Sequence, residues 1–234
     1  MGKYKILEHL FGLLDICYYL CIQRIITMTE EPELGFEIFE EEGDGLSFMV
    51  AEPVSRDIVE QLADLHTLKG AGFITMLKEI TQNIAFSPLE SDGNIYTTGG
   101  AKDDDYDNLL NVARKAVEHD YRVYILPNPK GFRTADFIFE RKGVYKMFDL
   151  KTISGKNSVE NRLSESIGQT NRVLLHMTVD YSPSTLARSI KRYFETNLNA
   201  REVLVFKGRK QLSVTRKSLE DNRFFQTFIR RYIK

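Results

Sequence analysis

Residues 135–141 and 144–152 are two runs rich in aromatic and aliphatic side chains, separated only by Lys142-Gly143. That spacing predicts a β-hairpin closed by a two-residue turn. A turn of that length fixes the pairing: Ile138 faces Met147, Phe137 faces Phe148, and Asp136 falls opposite Asp149. Alternation along a strand then puts Asp136, Asp149 and Lys151 on one face, and Phe137, Phe139, Phe148 and Leu150 on the other. A slip of one residue would send the two aspartates to opposite faces.

The segments around the hairpin extend it into an α/β domain. Leu109, Leu110, Val112, Ala113, Ala116 and Val117 predict a helix over about 106–119, with Asp103 to Asp105 available as its cap. Residues 122–126 read as a strand ended by Pro127. Asn157 or Ser158 caps a helix to Gly168, and 172–177 follow as a buried strand. Ser182-Pro183 starts a helix to about Asn197, since proline suits the first helical position. Strands at 202–206 and 212–215 and a closing helix over 218–233 complete the order α-β-β-β-α-β-α-β-β-α.

Upstream, 55–84 has helical spacing with a break at Gly70 and Gly72, and 86–105 reads as a linker because of Pro88, Asp92-Gly93 and Gly99-Gly100. Residues 35–39 and 46–50 alternate weakly as two strands. Residues 4–27 are apolar-rich but interrupted by charges, which argues against a signal peptide or a membrane span. Met28 followed by Thr29-Glu30-Glu31 would make a natural start, so 1–27 need not be native. Cys17 and Cys21 read as buried thiols.

Net charge over the whole chain is −1, but it is unevenly divided. Residues 1–101 carry 6 Lys/Arg against 17 Asp/Glu, a net of −11, and residues 102–234 carry 26 against 16, a net of +10. The expected organisation is therefore an acidic region, 1–101, ahead of a basic domain, 102–234. A basic half is what a polyanion partner selects. Arg188, Lys191 and Arg192 lie at neighbouring positions on the helix after Pro183, suited to backbone phosphates. Lys156, Asn157 and Ser158 precede a helix N-terminus, where free N–H groups and the dipole favour phosphate.

The chemistry sits on the hairpin. Two carboxylates roughly 5 Å apart across a strand pair repel unless a cation joins them. Oxygen ligands of this kind suit Mg²⁺ or Mn²⁺, with Zn²⁺ as a further option. A lysine two residues along orients water or neutralises phosphate charge, so the set is the minimum for metal-assisted phosphodiester hydrolysis.

The runs Thr134-Ala-Asp136-Phe-Ile-Phe, Phe148-Asp149-Leu-Lys151, Ile153-Ser-Gly-Lys-Asn-Ser158 and Ile167-Gly-Gln169-Thr-Asn-Arg172-Val-Leu-Leu175 together resemble the C-terminal tRNase domain of CdiA-type contact-dependent growth inhibition toxins, over about residues 100–208. The Asp…Asp-x-Lys arrangement also resembles the PD-(D/E)xK nuclease core, with Ala135 where that core often has proline. The resemblance implies a restriction-endonuclease-like α/β core with a small α+β or irregular N-terminal region. It implies an endonuclease acting on nucleic acid, tRNA first, of toxin type, with an immunity protein as partner. Asp136 and Asp149 become metal ligands and Lys151 the catalytic lysine. Gln169 either contacts substrate or the metal's water, or serves as a helix C-terminal amide satisfying backbone carbonyls. Arg172 joins the nucleic-acid-binding set, and Glu118 is the available first-helix acid.

Two other readings stay open. One is a metal-independent RNase of the barnase–EndoU–colicin–RelE group, using His176, Lys151 or Arg172 as acid, base or phosphate clamp. The other is a noncatalytic nucleic-acid-binding accessory protein of a mobile element. A cytoplasmic location is expected, with delivery to another cell by a separate route left open.

Overall fold

The structure is a computed structural model and describes residues 56–65, 67–99, 105–129, 134–155 and 159–233. The chain divides into two compact units, residues 1–51 with 69–71, and residues 52–68 with 72–234. All of the described residues except 69–71 belong to the second unit, to which the packing below refers. The expected features at 4–27, 35–39 and 46–50 lie outside the described residues.

The elements run α1 (Ile58–Leu65), α2 (Gly70–Thr81), β1 (Phe86–Leu89), β2 (Asp92–Thr98), α3 (Tyr106–Val117), β3 (Arg122–Ile125), β4 (Phe137–Arg141), β5 (Val144–Ile153), α4 (Val159–Glu165), β6 (Arg172–Met177), α5 (Pro183–Thr196), β7 (Glu202–Lys207), β8 (Lys210–Thr215), α6 (Arg216–Glu220) and α7 (Phe224–Ile233). The strands form one mixed sheet in sequential order from β1 to β8. Strand pairs β2/β3, β5/β6 and β6/β7 are parallel, and the other four are antiparallel. The fold is α/β.

Lys142 and Gly143 both take positive φ, 52° and 77°, the combination a tight two-residue hairpin turn requires. Register follows from that turn: Phe137 pairs with Phe148, Ile138 with Met147, and Arg141 with Val144. Phe137, Phe139, Phe148 and Leu150 pack with Ile95, Val123, Leu174 and Phe206 beneath Val112, Ala113 and Ala116 of α3.

The opposite face carries two separate clusters. Tyr124, Leu126, Ile138 and Met147 are covered by Leu62 and Leu65 of α1 and by Leu77 and Ile80 of α2. Ile153, Val173, Leu175, Val203, Val205, Leu212 and Val214 are covered by α4, α5 and α7, with Leu186, Ile190, Phe194, Phe228 and Tyr232 turned inward. Burying each large side chain contributes about 1.5–3 kcal/mol, so both clusters hold their helices down firmly. On this face of β5, Asp149 and Lys151 are the residues between Met147 of one cluster and Ile153 of the other.

Three sequence expectations need correction. Residues 86–98 are not a linker: β1 and β2 form a hairpin, and Ile95, Tyr96 and Thr97 pair in parallel with β3. Proline and glycine there mark an edge strand and its turn, which short-range signals do not separate from a loop. The sheet therefore begins well ahead of the charge boundary at residue 101. The closing helix is two helices, because Asp221 takes an extended ψ of 121° and its Oδ1 accepts from Arg223 N at 2.8 Å. Of the two upstream glycines, Gly70 opens α2 with a positive φ of 57°, whereas Gly72 lies inside that helix and does not break it.

Candidate functional site

The hairpin ladder ends at Phe137–Phe148, and β5 changes partner there, pairing with β6 from Asp149 to Ile153. At this fork the β4 side of β5 loses its strand partner, and Asp136 takes over. Its N–H donates to Phe148 O at 3.0 Å, and its Oδ2 accepts from Leu150 N at 2.5 Å. One carboxylate oxygen of Asp136 thus replaces a missing ladder acceptor.

Asp149 is 2% exposed. Lys151 Nζ lies 2.9 Å from each of its carboxylate oxygens, and the lysine side chain is 13% exposed. The Asp136 carboxyl is pushed up to about 7, first by burial and then by the charge of Asp149. Leu150 N–H and Lys151 act in the opposite direction, and Asp105 adds a further small upward push. Two acids thus share a buried fork with one lysine, and the field within the pair is repulsive.

This donor set suits a hard divalent cation, which would neutralise both carboxylates at once. Among the described residues no group of three or more His, Cys, Asp or Glu side chains converges to hold a metal. Two carboxylates alone would leave such a cation most of its coordination to water and substrate oxygens.

Asp105 was legible in the sequence only as a helix cap. It occupies the N-cap position of α3 yet makes no capping bond, and its Oδ1 accepts from Asn108 Nδ2 at 3.1 Å. Asn108 in turn exchanges hydrogen bonds with Thr152 Oγ1 of β5 at 3.1 and 3.2 Å. The α3 N-terminus is therefore tied to the strand carrying Asp149 and Lys151, and its acid reaches the pair electrostatically. Glu118 occupies the C-cap of α3, at the other end of the helix. No sequence spacing singles out Asp105 within the run Asp103 to Asp105.

The remaining expected residues that the structure describes do not gather here. Gln169 Nε2 donates to Glu165 O at 3.2 Å, closing the end of α4 as a C-terminal amide. Lys156, Asn157 and Ser158 lie outside the described residues. Arg172 is half-buried on the opposite sheet face, its Nε 3.6 Å from Glu202 Oε2, and desolvation lowers its pKa. Arg188 and Arg192 are exposed on α5, where Arg192 Nη1 lies 3.5 Å from Glu160 Oε2. Lys191 pairs with Glu195 at 3.8 Å and sits over the Phe225 ring at 5.7 Å.

His176 neighbours Thr152 in the register, whereas Lys151 neighbours Leu175, so histidine and lysine occupy opposite faces of the sheet. The histidine is 2% exposed, its Nε2 is 2.6 Å from Lys115 Nζ, and burial followed by the Lys115 charge lowers its pKa to about 4. It is neutral and enclosed at physiological pH. His176, Lys151 and Arg172 therefore do not converge into an acid–base set.

No family model and no curated protein matches the chain. Among solved structures it is similar to a CdiA-CT/CdiI toxin and immunity complex from Burkholderia pseudomallei, at 14% identity and a TM-score of 0.36, over 51% of this chain and 98% of that one. So distant a likeness carries no weight for fold or activity. Among the described residues no helix is long and apolar enough to cross a membrane.

Proposed function

We propose that the chain is a metal-dependent endonuclease that hydrolyses phosphodiester bonds in nucleic acid. The observation that carries this reading is the half-buried Asp136 beside the buried Asp149 and Lys151, at the point where β5 changes partner. A carboxylate pair that raises its own pKa is costly to bury, and such unbalanced groups concentrate where chemistry is done. The order α3, β3, β4, β5, α4, β6 supports describing this part as a restriction-endonuclease-like core.

Asp136 and Asp149 are the residues that would hold Mg²⁺, Mn²⁺ or Zn²⁺. A divalent cation bound there supplies Lewis acidity and a water of lowered pKa. The chain's own residues do the rest. Leu150 N–H fixes the orientation of the Asp136 carboxylate, and Lys151, held against Asp149, offers its ammonium to an attacking water or to the phosphate as charge builds on it. Asp136 must lose its proton to bind a cation, so activity should fall on the acid side of about pH 7. The basic residues of 102–234 supply a sequence-independent attraction to phosphate that weakens with salt. The choice of RNA, with tRNA tested first, rests on the sequence resemblance alone, as do the toxin role and the immunity partner.

The test is incubation of the purified chain with total tRNA and with plasmid DNA in Mg²⁺, Mn²⁺, Zn²⁺ or EDTA. Cleavage in at least one metal and none in EDTA is expected. Salt-sensitive binding without cleavage in any metal would instead identify an accessory nucleic-acid-binding protein. Cleavage that persists in EDTA would overturn the role given to the carboxylate pair.

A further inference from the structure

The two edges of the sheet are built differently. β1, at one edge, carries Pro88 and a register shift between Pro88 and Leu89, two devices that blunt an edge against further pairing. β8, at the other, runs six residues, Lys210–Thr215, with neither proline nor bulge. Its hairpin with β7 turns over Gly208-Arg209, with positive φ at Gly208 alone, 56°, so Lys207 and Lys210 flank a two-residue turn. In such a hairpin the flanking pair exchanges main-chain hydrogen bonds, and alternate pairs beyond it do the same. Lys210, Leu212 and Val214 therefore bond to β7, and Gln211, Ser213 and Thr215 turn their N–H and C=O outward. The Thr215 N–H donates to Ser218 Oγ at 3.2 Å, which agrees with that parity. No strand pairs with this edge among the described residues.

A groove of about 300 Å³ runs beside the open edge, between β8, α6 and α7. Leu212, Val214, Phe224 and Phe228 form its apolar floor, and Lys217 and Arg231 stand on its rim with a single acid, Asp221. Lys217 and Arg231 are exposed, and neither makes an ion pair among the described residues.

We propose that β8 is a docking edge for an extended, acidic segment of a partner protein, which adds as a ninth strand. Main-chain bonds to Gln211 and Ser213 supply affinity, as in other strand additions. Side chains of an added strand alternate, so every second one falls on the groove side. Apolar residues there cover Leu212, Val214, Phe224 and Phe228, and acidic residues reach Lys217 and Arg231. The cationic rim disfavours a basic strand. It also disfavours a second copy of β8, whose rim carries the same charges. The proposal stands apart from the nuclease reading, because β8 lies three strands from β5, on the order of 15 Å by strand spacing.

The experiment titrates the full chain with fluorescent peptides of alternating Val and Glu, and of alternating Val and Lys, and follows anisotropy. Saturable binding of the Val-Glu peptide is expected, with at least a tenfold weaker response from Val-Lys. Methylating the peptide's backbone nitrogens on alternate residues should weaken binding tenfold or more by removing strand pairing. The double variant Lys217→Glu/Arg231→Glu, on exposed positions, should reverse the peptide preference without changing the melting curve. Equal binding of both peptides, or indifference to N-methylation, overturns the proposal. Concentration-dependent dimers that the Val-Glu peptide does not dissociate would overturn it too, assigning the edge to a second copy.

Discussion

Two buried charge clusters lie on opposite faces of the same sheet, and they are balanced in opposite ways. Around Glu202, Lys146 Nζ lies at 2.8 Å, Arg172 Nε at 3.6 Å and Ser213 Oγ at 2.7 Å, so one acid meets two cations and a hydroxyl drawn from β5, β6 and β8. Around Asp149, a second acid approaches, and Lys151 is the one cation among the causes acting on Asp136. The first cluster cross-links four strands through the attraction of Glu202 for its neighbours. The second is held together despite its charge, by the apolar clusters flanking it. Opposite charges drawn together mark architecture here, and like charges forced together mark the candidate for chemistry.

The largest test of that contrast is functional. Asp149→Ala should cut nuclease turnover by a factor on the order of 10³ or more while the chain stays folded. Gel assay of tRNA cleavage, with circular dichroism as the folding control, checks it; full activity in the variant would remove Asp149 from the site. Glu202→Ala should act the other way, on stability, costing about 3–5 kcal/mol by leaving Lys146 and Arg172 without their acid. Urea unfolding reads this out, and a change under about 1 kcal/mol would place the cluster outside the architecture.

Asp136→Asn sharpens the comparison through pH. A carboxyl whose pKa is raised on folding, here from 3.8 to about 7, contributes stability below its unfolded pKa that is lost as pH rises toward 7. In EDTA, Asp136→Asn should therefore raise the unfolding free energy at pH 8, by about 2–4 kcal/mol at most, with the gain vanishing near pH 4. His176 has the opposite sign. Its pKa is lowered to about 4, so its contribution is present above pH 6.5 and lost as pH falls toward 4. His176→Gln should flatten the acid limb of the stability profile by about 1–3 kcal/mol. The smallest effect belongs to the exposed helix: Arg188→Ala/Arg192→Ala should leave unfolding within about 0.5 kcal/mol and lower the salt slope of nucleic-acid binding by about one per lost phosphate contact.

Much of this was readable from local pattern. Alternation and a Lys-Gly turn fixed a hairpin register on which Phe137, Phe139, Phe148 and Leu150 fall on one face, and the same alternation gave Asp136, Asp149 and Lys151 their neighbourhood. Such a reading works because a period of two and a turn of two residues leave no freedom in the pairing. The edge hairpin at 86–98 was missed because its proline and glycines are the residues of a loop as well as of an edge. Arg172 joined the nucleic-acid-binding set through the resemblance and not through its surroundings; only the fold brings Glu202, thirty residues on, beside it.

By itself the sequence determined the element types from β3 to β8, the hairpin register and the uneven charge of the chain, all consequences of periodicity and composition. Tertiary structure decided which charges meet which. It split β5 between two partners at Phe148, buried Asp149 against Lys151, enclosed His176 with Lys115, tied Asp105 to β5 through Asn108 and Thr152, and left β8 without a further strand partner among the described residues, beside a groove rimmed by Lys217 and Arg231. Electrostatic energy depends on distance and burial, and neither is written in sequence order.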